Sequence, residues 1–274
     1  MTKERENDRS GMKPKKSLGQ NFLKNKEKLK EIIEAGNLNK NDNVLEIGPG
    51  EGALTRKLIE SAGRVLAVEK DEKLAQSMKE GLSVDNFEIL GGDILEINLP
   101  STLEERGFQK YKLLANIPYY ITGKILRLFF ETKYRPQLLV LLVQKEVAER
   151  ICARPGKRSL LSTIINYFGE PEVVSYVSRE DFYPVPEVDS AILKIIPYEK
   201  YEYKNKEREK NFFRLIKVGF SSPRKTLVNN LSAGFDLSKG KIEDRLKKAG
   251  LKEDARAQNL SVQEWQKLEE LFFN

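Results

Sequence analysis

Two stretches of the chain carry residue types at spacings that could do chemistry. The sharper is Asn116-Ile117-Pro118-Tyr119, which closes the apolar run Leu113-Leu114-Ala115. An asparagine followed by a proline-stiffened turn sets a side-chain amide oxygen beside a backbone carbonyl, and both are acceptors. They suit an amino group with two N–H donors. The exocyclic amine of a nucleobase is a poor nucleophile because its lone pair is delocalised into the ring. Acceptors on both hydrogens favour the pyramidal amine that forms during attack, and Tyr119 offers a ring on which the base can stack. Standing alone, the motif reads as a strand-ending turn with a packed tyrosine. Its neighbours decide between the two.

The second stretch is residues 43–55, where Val44, Leu45 and Ile47 run into Gly48, Pro49, Gly50 and Gly52 before a helical pattern at Leu54, Leu58 and Ile59. This reads as strand, tight turn, helix. Glycine reaches positive φ without strain and has no Cβ to hold a ligand off the backbone, and the helix start offers unpaired N–H groups. The spacing G-x-G-x-G departs from the dinucleotide fingerprint and brings no Lys-Ser/Thr for a phosphate loop, so a pyrophosphate ligand is disfavoured. Glu69 closes the next apolar run, Val65–Val68, at the position where sheets of this type hold ribose hydroxyls. Together the turn and the acid predict a nucleoside site.

The elements that must position these residues alternate. Strands are predicted at 43–47, 64–69, 86–90, 111–115 and 137–143, with helices at 52–61, 71–80, 122–132 and 144–153. That order argues a parallel sheet covered by helices, with ligands at the carboxyl ends of the strands. Glu69, Asp93 and Asn116 all stand at such ends. A helix at 159–168 and strands at 171–178 and 189–197 follow, the latter pair separated by Phe182-Tyr183-Pro184-Val185-Pro186. The organisation expected is a polar, disordered tail over 1–12, a catalytic domain over 13–200, a linker over 201–210 and a small all-helical domain over 211–274.

Composition narrows the chemistry. The 274 residues contain no histidine, which removes histidine bases and ligands, and one cysteine, Cys152, which removes an intramolecular disulfide and multi-cysteine metal centres. No run approaches the ~20 apolar residues of a membrane span. The expectations are a cytoplasmic protein with no membrane partner and no metal. The net charge of +7 favours a polyanionic partner only weakly, since 48 basic residues are set against 41 acidic ones. A nucleoside cofactor, an amine acceptor and neither histidine base nor metal set fit methyl transfer from S-adenosylmethionine. Its sulfonium is already activated, so alignment of the reacting atoms is the main task.

Several motifs in order then become recognisable: Lys16–Leu23 (KSLGQNFL), Glu46–Gly50 (EIGPG), Asn116–Tyr119 (NIPY), Gln144–Arg150 (QKEVAER) and Pro184–Ala191 (PVPEVDSA). Arg224–Leu227 (RKTL) and Arg256–Ser261 (RAQNLS) continue them into the helical segment. This set resembles the small-subunit ribosomal RNA adenine N(6)-dimethyltransferases of the KsgA/RsmA type over nearly everything after residue 12. The resemblance implies a Rossmann-like S-adenosylmethionine-dependent methyltransferase sheet with a helical C-terminal domain. It implies cofactor contacts at Asn21, Leu23, Gly48, Glu69, Asp93 and Asn116, with Glu69 on the ribose and Asp93 on the adenine amine. Asn116, Pro118 and Tyr119 would present the target adenine, with Phe182 as a second stacking face. Where the family usually has Gly-Asn-Leu-Pro-Tyr-Asn, this chain has Ala115, Ile117 and Tyr120.

The partner implied is the small ribosomal subunit and its rRNA, met by a monomer. Candidate phosphate contacts are Lys13, Lys15, Lys16, Arg154, Lys157, Arg158, Arg224 and Lys225. Two other readings share parts of the pattern. One is a large-subunit rRNA adenine methyltransferase of the macrolide-resistance type, against which the PVPEVDSA and RKTL stretches weigh. The other is a ribosome-assembly or nucleic-acid-binding factor that does not depend on catalysis, against which intact Glu69 and Asn116 weigh.

Overall fold

Apolar runs closed by turn residues form the strands, and the 3.6-residue patterns between them form the helices, in the computed structural model, which describes residues 14–198 and 206–273. The order is β1 (Phe22–Leu23), α1 (Lys26–Gly36), β2 (Asn43–Ile47), α2 (Ala53–Ser61), β3 (Arg64–Glu69), α3 (Glu72–Gly81), β4 (Phe87–Gly91) and α4 (Leu99–Glu105). It continues through β5 (Lys112–Asn116), α5 (Thr122–Glu131), β6 (Leu138–Gln144), α6 (Lys145–Ile151), α7 (Leu160–Phe168), β7 (Gly169–Val177), β8 (Phe182–Tyr183) and β9 (Ser190–Pro197). Helices α8 (Lys206–Gly219), α9 (Leu227–Phe235), α10 (Lys239–Ala249) and α11 (Val262–Phe273) end the chain.

The main sheet has the order β4-β3-β2-β5-β6-β9-β7. Strands β2 to β6 are parallel, with Val44 opposite both Val65 and Lys112, and Asn116 opposite Leu142. The chain enters at β2, steps outward to β4, then returns to place β5 on the other side of β2. The order therefore reverses between β2 and β5, and the crevice beyond the strand ends at such a switch point is where ligands bind. Leu138 to Val143 of β6 are all buried, as expected of a strand covered on both faces. Leu29 and Ile32 of α1 and Leu54 and Leu58 of α2 join Val44, Leu114, Val140 and Leu142 in one core cluster. Each such side chain contributes about 1.5–3 kcal/mol on burial.

A second, two-stranded sheet was not legible in the sequence. β1 pairs antiparallel with β8, Phe22 opposite Tyr183 and Leu23 opposite Phe182. Strand alternation then decides the fate of each ring: Leu23 and Phe182 turn into the core, while Tyr183 stays 52% exposed. The segment leading into α1 is held further by Lys24 N–H on the Asp181 carbonyl at 2.8 Å and Asn25 Nδ2 on Asp181 Oδ1 at 2.8 Å.

The chain divides into two compact units, residues 1–145 with 174–194, and residues 146–173 with 195–274. The second therefore draws α6 and α7 to the helices after residue 206. Aromatic residues account for α7: Tyr167 stacks on Phe212 of α8 with ring centroids 4.1 Å apart, and Phe168 lies against Phe213 at 5.6 Å. Trp265 is fully buried and meets Phe220 at 5.9 Å. The expected tail over 1–12, Lys13 and residues 201–205 of the expected linker lie outside the described residues. Residues 206–210 open α8, where Glu207 and Glu209 suit the positive end of the helix dipole.

Candidate active site

A cavity of about 190 Å³ lies at the carboxyl ends of β2, β3, β4 and β5, in the first unit. Its walls come from the segment Leu18–Phe22, the turn after β2, Glu69 and Lys70 after β3, Gly92–Leu95 after β4 and Asn116–Ile121 after β5. Asn21, Gly48, Glu69, Asp93, Asn116, Pro118 and Tyr119 are thus brought together as the sequence predicts. Leu23 and Phe182 are not in the wall. Both are buried in the core by the β1–β8 pairing, Phe182 being 3% exposed.

In the turn, Gly48 has φ +63° and Gly50 φ +58°. A Cβ on Gly50 would stand 2.7 Å from the Phe22 ring, so the turn and the N-terminal segment fit only because that residue is glycine. Gly50 N–H donates to Glu69 Oε2 at 3.1 Å, and Asp71 N–H donates to Glu69 Oε1 at 2.8 Å. Two backbone donors thus fix a carboxylate that is only 5% exposed and leave it lone pairs for hydroxyl donors. Burial pushes the Glu69 carboxyl above its ordinary range, and the N–H groups of Asp71 and Gly50 work against that shift.

Asp71 repeats the pattern one step outward. Its buried carboxylate caps α3 through Lys73 N–H at 3.2 Å and receives Lys15 Nζ at 2.8 Å and Gln20 Nε2 at 3.3 Å. Burial raises its pKa, and the bonds from Lys15 and Gln20 outweigh that and hold it low. Asp93 accepts from Leu95 N–H at 2.9 Å and Lys70 Nζ at 2.7 Å. Here too burial is outweighed, first by Lys70, and the carboxylate titrates below its ordinary range.

On the opposite wall, Asn116 Nδ2 donates to the Asn21 carbonyl at 2.9 Å, which leaves Oδ1 as the acceptor. Asn21 Nδ2 in turn donates to the Gly19 carbonyl at 3.2 Å. The N-terminal segment therefore orients the amide that the Asn-Ile-Pro-Tyr motif supplies. Tyr119 is held at its carbonyl by Thr122 Oγ1 at 3.0 Å and at its phenol by Ser190 Oγ at 2.6 Å. Burial raises the phenol pKa, so the ring is neutral at physiological pH. Tyr120, at the departure from the family pattern, is 60% exposed and its ring lies beside Gly19.

The basic residues read as phosphate contacts divide. Lys15 is engaged with Asp71, Lys13 lies outside the described residues, and only the backbone of Lys16 is described. Arg154, Lys157, Arg224 and Lys225 are exposed in the second unit, where Gly156 N–H pins the 154–158 turn to the Gln258 carbonyl at 2.7 Å. Arg158 is partly buried, its Nη2 3.5 Å from Asn166 Oδ1, and burial lowers its pKa. Sequence reasoning missed Asp71, Gln20, Lys70 and Ser190 as parts of this site. Ser190 lay within a stretch already singled out, but nothing in the chain marks Tyr119 as its partner. Among the described residues, no group of three or more His, Cys, Asp or Glu side chains is placed to hold a metal ion.

A doubly wound sheet with a glycine turn, a strand-end acid and an Asn-Ile-Pro-Tyr loop at the switch point defines a nucleoside-binding α/β transferase. The comparisons with known proteins narrow that class. The family model described as ribosomal RNA adenine dimethylase matches residues 11–273, and the chain belongs to that family. It is 43% identical over 258 residues to a Dehalococcoides mccartyi protein named ribosomal RNA small subunit methyltransferase A, covering 94% of this chain and 88% of that one. A Fusobacterium nucleatum protein of the same name is 42% identical over 264 residues, covering 95% and 98%. Among solved structures, a dimethyladenosine transferase from Plasmodium falciparum superposes with a TM-score of 0.75 at 28% identity, covering 90% of this chain and 95% of that one. The 23S rRNA methyltransferase ErmE gives 0.73 at 28% identity, covering 91% and 98%.

One buried acid beneath the cavity gives a stability prediction. Glu46 of β2 is 1% exposed, its Oε2 has no hydrogen-bond partner, and burial pushes its pKa up to about 8, with the Thr55 hydroxyl opposing and the Glu69 charge adding. The folded protein therefore holds Glu46 protonated at neutral pH. The stability this contributes is full below the ordinary value of 4.5 and is lost as pH rises to about 8. Glu46→Gln mimics the protonated acid, so its stability relative to wild type should rise across that window, reaching a few kcal/mol at pH 8. Urea unfolding of both proteins at pH 5 and pH 8 checks this. A constant difference between them would contradict it.

Proposed function

We propose that this chain dimethylates the N6 amines of adjacent adenines near the 3′ end of small-subunit ribosomal RNA, with S-adenosylmethionine as methyl donor. Membership of the adenine dimethylase family supports the reaction, and two relatives above 40% identity that are named for the small subunit support the substrate. The residues present fit the cofactor: the glycine turn leaves backbone room, Glu69 and Asp93 offer acceptors, and no phosphate-binding Lys-Ser/Thr follows the turn. In this reading Glu69 takes the ribose hydroxyls, Asp93 the adenine amine, and Asn21 and Gly48 line the remainder, with Leu23 supporting them from the core. When bound, the sulfonium supplies an activated methyl group.

The observation that carries the proposal is the fixed orientation of Asn116. With Nδ2 committed to the Asn21 carbonyl, Oδ1 is the atom offered to an incoming amine, and it shares one cavity with Glu69. An acceptor on the amine hydrogens is worth most when the nitrogen pyramidalises, so its effect falls on the rate. Pro118 stiffens the turn, and Tyr119 receives the base on its ring. The chain is proposed to act as a monomer. The location proposed is the cytoplasm, with the assembling small subunit as partner. No helix among the described residues is long and apolar enough to cross a membrane.

Asn116→Ala should therefore lower the single-turnover methylation rate by about 10²-fold, the scale of one lost transition-state hydrogen bond in a dry site, with much less effect on rRNA binding. A rate within twofold of wild type would remove Asn116 from the reaction. Arg154 and Lys157 are proposed to meet phosphates. Replacing both by Ala should flatten the log K against log salt slope for small subunits by up to about 1.5–2, near 0.7–0.9 per contact. Adding Arg158→Ala should flatten it no further, since that side chain is partly buried with its Nε and Nη1 enclosed. An unchanged slope in the double variant would take this turn out of the footprint.

A further inference from the structure

Within the stretch Pro184–Ala191, Ser190 has a partner in Tyr119 but as yet no part in the proposed reaction. It opens β9, is fully buried, and its hydroxyl lies 2.6 Å from the phenol oxygen of Tyr119. The segment that carries it is itself anchored: the Asp189 carbonyl accepts Lys145 N–H at 3.0 Å, and Asp189 Oδ1 accepts Arg179 N–H at 3.1 Å. Tyr119 is thus fixed at both ends. Its carbonyl accepts from the buried Thr122 hydroxyl at 3.0 Å, its ring lies in the cavity wall, and its phenol is tied to a rigid strand.

We infer that Ser190 is a positioning residue for methyl transfer, acting through Tyr119 by fixing the long axis of the ring that receives the target base. This rests on the proposed function above. A stacked base is restrained across the ring plane far more than within it. An aromatic platform that swings about its Cα therefore carries the amine out of line with the Asn116 acceptor. Alignment within an ångström controls such reactions strongly. Ser190 supplies the restraint without touching base or cofactor. Asn116 sets where the amine points, and Ser190 sets where the base rests.

The test is a cycle of Ser190→Ala, Tyr119→Phe and the double variant, because both substitutions delete the same hydrogen bond and neither deletes the ring. Each single variant should lower the single-turnover rate by about three- to tenfold, the range expected for one hydrogen bond, and the double variant should lose no more than either single one. Calorimetry should find S-adenosylmethionine affinity unchanged in all three. An rRNA fragment with 2-aminopurine at the target position should show less quenching in Ser190→Ala than in wild type, and Ser190→Thr should restore both quenching and rate. Thermal unfolding of each variant separates a loss of fold from a loss of position. Wild-type rates and quenching in folded Ser190→Ala and Tyr119→Phe would overturn the inference. Multiplicative losses in the double variant would also overturn it, because the two hydroxyls would then act separately. Tyr119→Ala distinguishes the two levels: full activity in that variant would overturn the stacking role itself, whereas loss there beside wild-type Ser190→Ala would overturn the positioning role alone.

Discussion

The buried carboxylate of Glu69 ties together parts of the site that are far apart in sequence. It accepts from Gly50 in the turn after β2 and from Asp71 at the start of α3. Asp71 then receives Lys15 and Gln20 from the N-terminal segment. One residue beyond Gln20, the Asn21 carbonyl sets the amide of Asn116. A run of hydrogen bonds therefore leads from the Glu69 side of the cavity to the Asn116 side, through a segment with little regular structure of its own. A carboxylate that is 5% exposed is costly to bury, and its two backbone donors offset part of that cost. The same bonds make the turn, the helix start and the segment mutually dependent.

This arrangement explains why a chain without histidine serves the reaction. The work assigned to the protein is orientation: acceptors held by backbone groups, an amide with one possible sense, and a ring pinned at both ends. Fixed dipoles of this kind help a transition state without reorganising. The titratable groups are arranged to stay as they are. Lys70 and Lys15 keep Asp93 and Asp71 ionised, while burial keeps Tyr119 and Glu46 neutral.

Much of this was legible from residue types. The strands β2 to β6 announce themselves as apolar runs, and Glu69, Asp93 and Asn116 stand at their ends because a parallel sheet puts its functional residues there. Two features were not legible, for physical reasons. The pairing of Phe22-Leu23 with Phe182-Tyr183 joins two-residue strands 160 positions apart, too short for any periodicity to mark. That pairing, rather than composition, decides that Phe182 faces the core and Tyr183 the solvent. The second unit's claim on α7 rests on aromatic rings meeting across the chain, and an aromatic in a helix does not disclose its partner. Lys15 is the same lesson in charge: its lysine neighbours suggest phosphate, and only the fold reveals Asp71.

Mass spectrometry of rRNA nucleosides tests whether this cavity places an adenine amine of small-subunit rRNA for methylation. Purified protein would be incubated with isotopically labelled S-adenosylmethionine and small subunits that lack the modification, with large subunits in parallel. Labelled N6,N6-dimethyladenosine is expected in small-subunit rRNA and none in large-subunit rRNA. Label confined to the large subunit, or absent from adenosine in both, would contradict it.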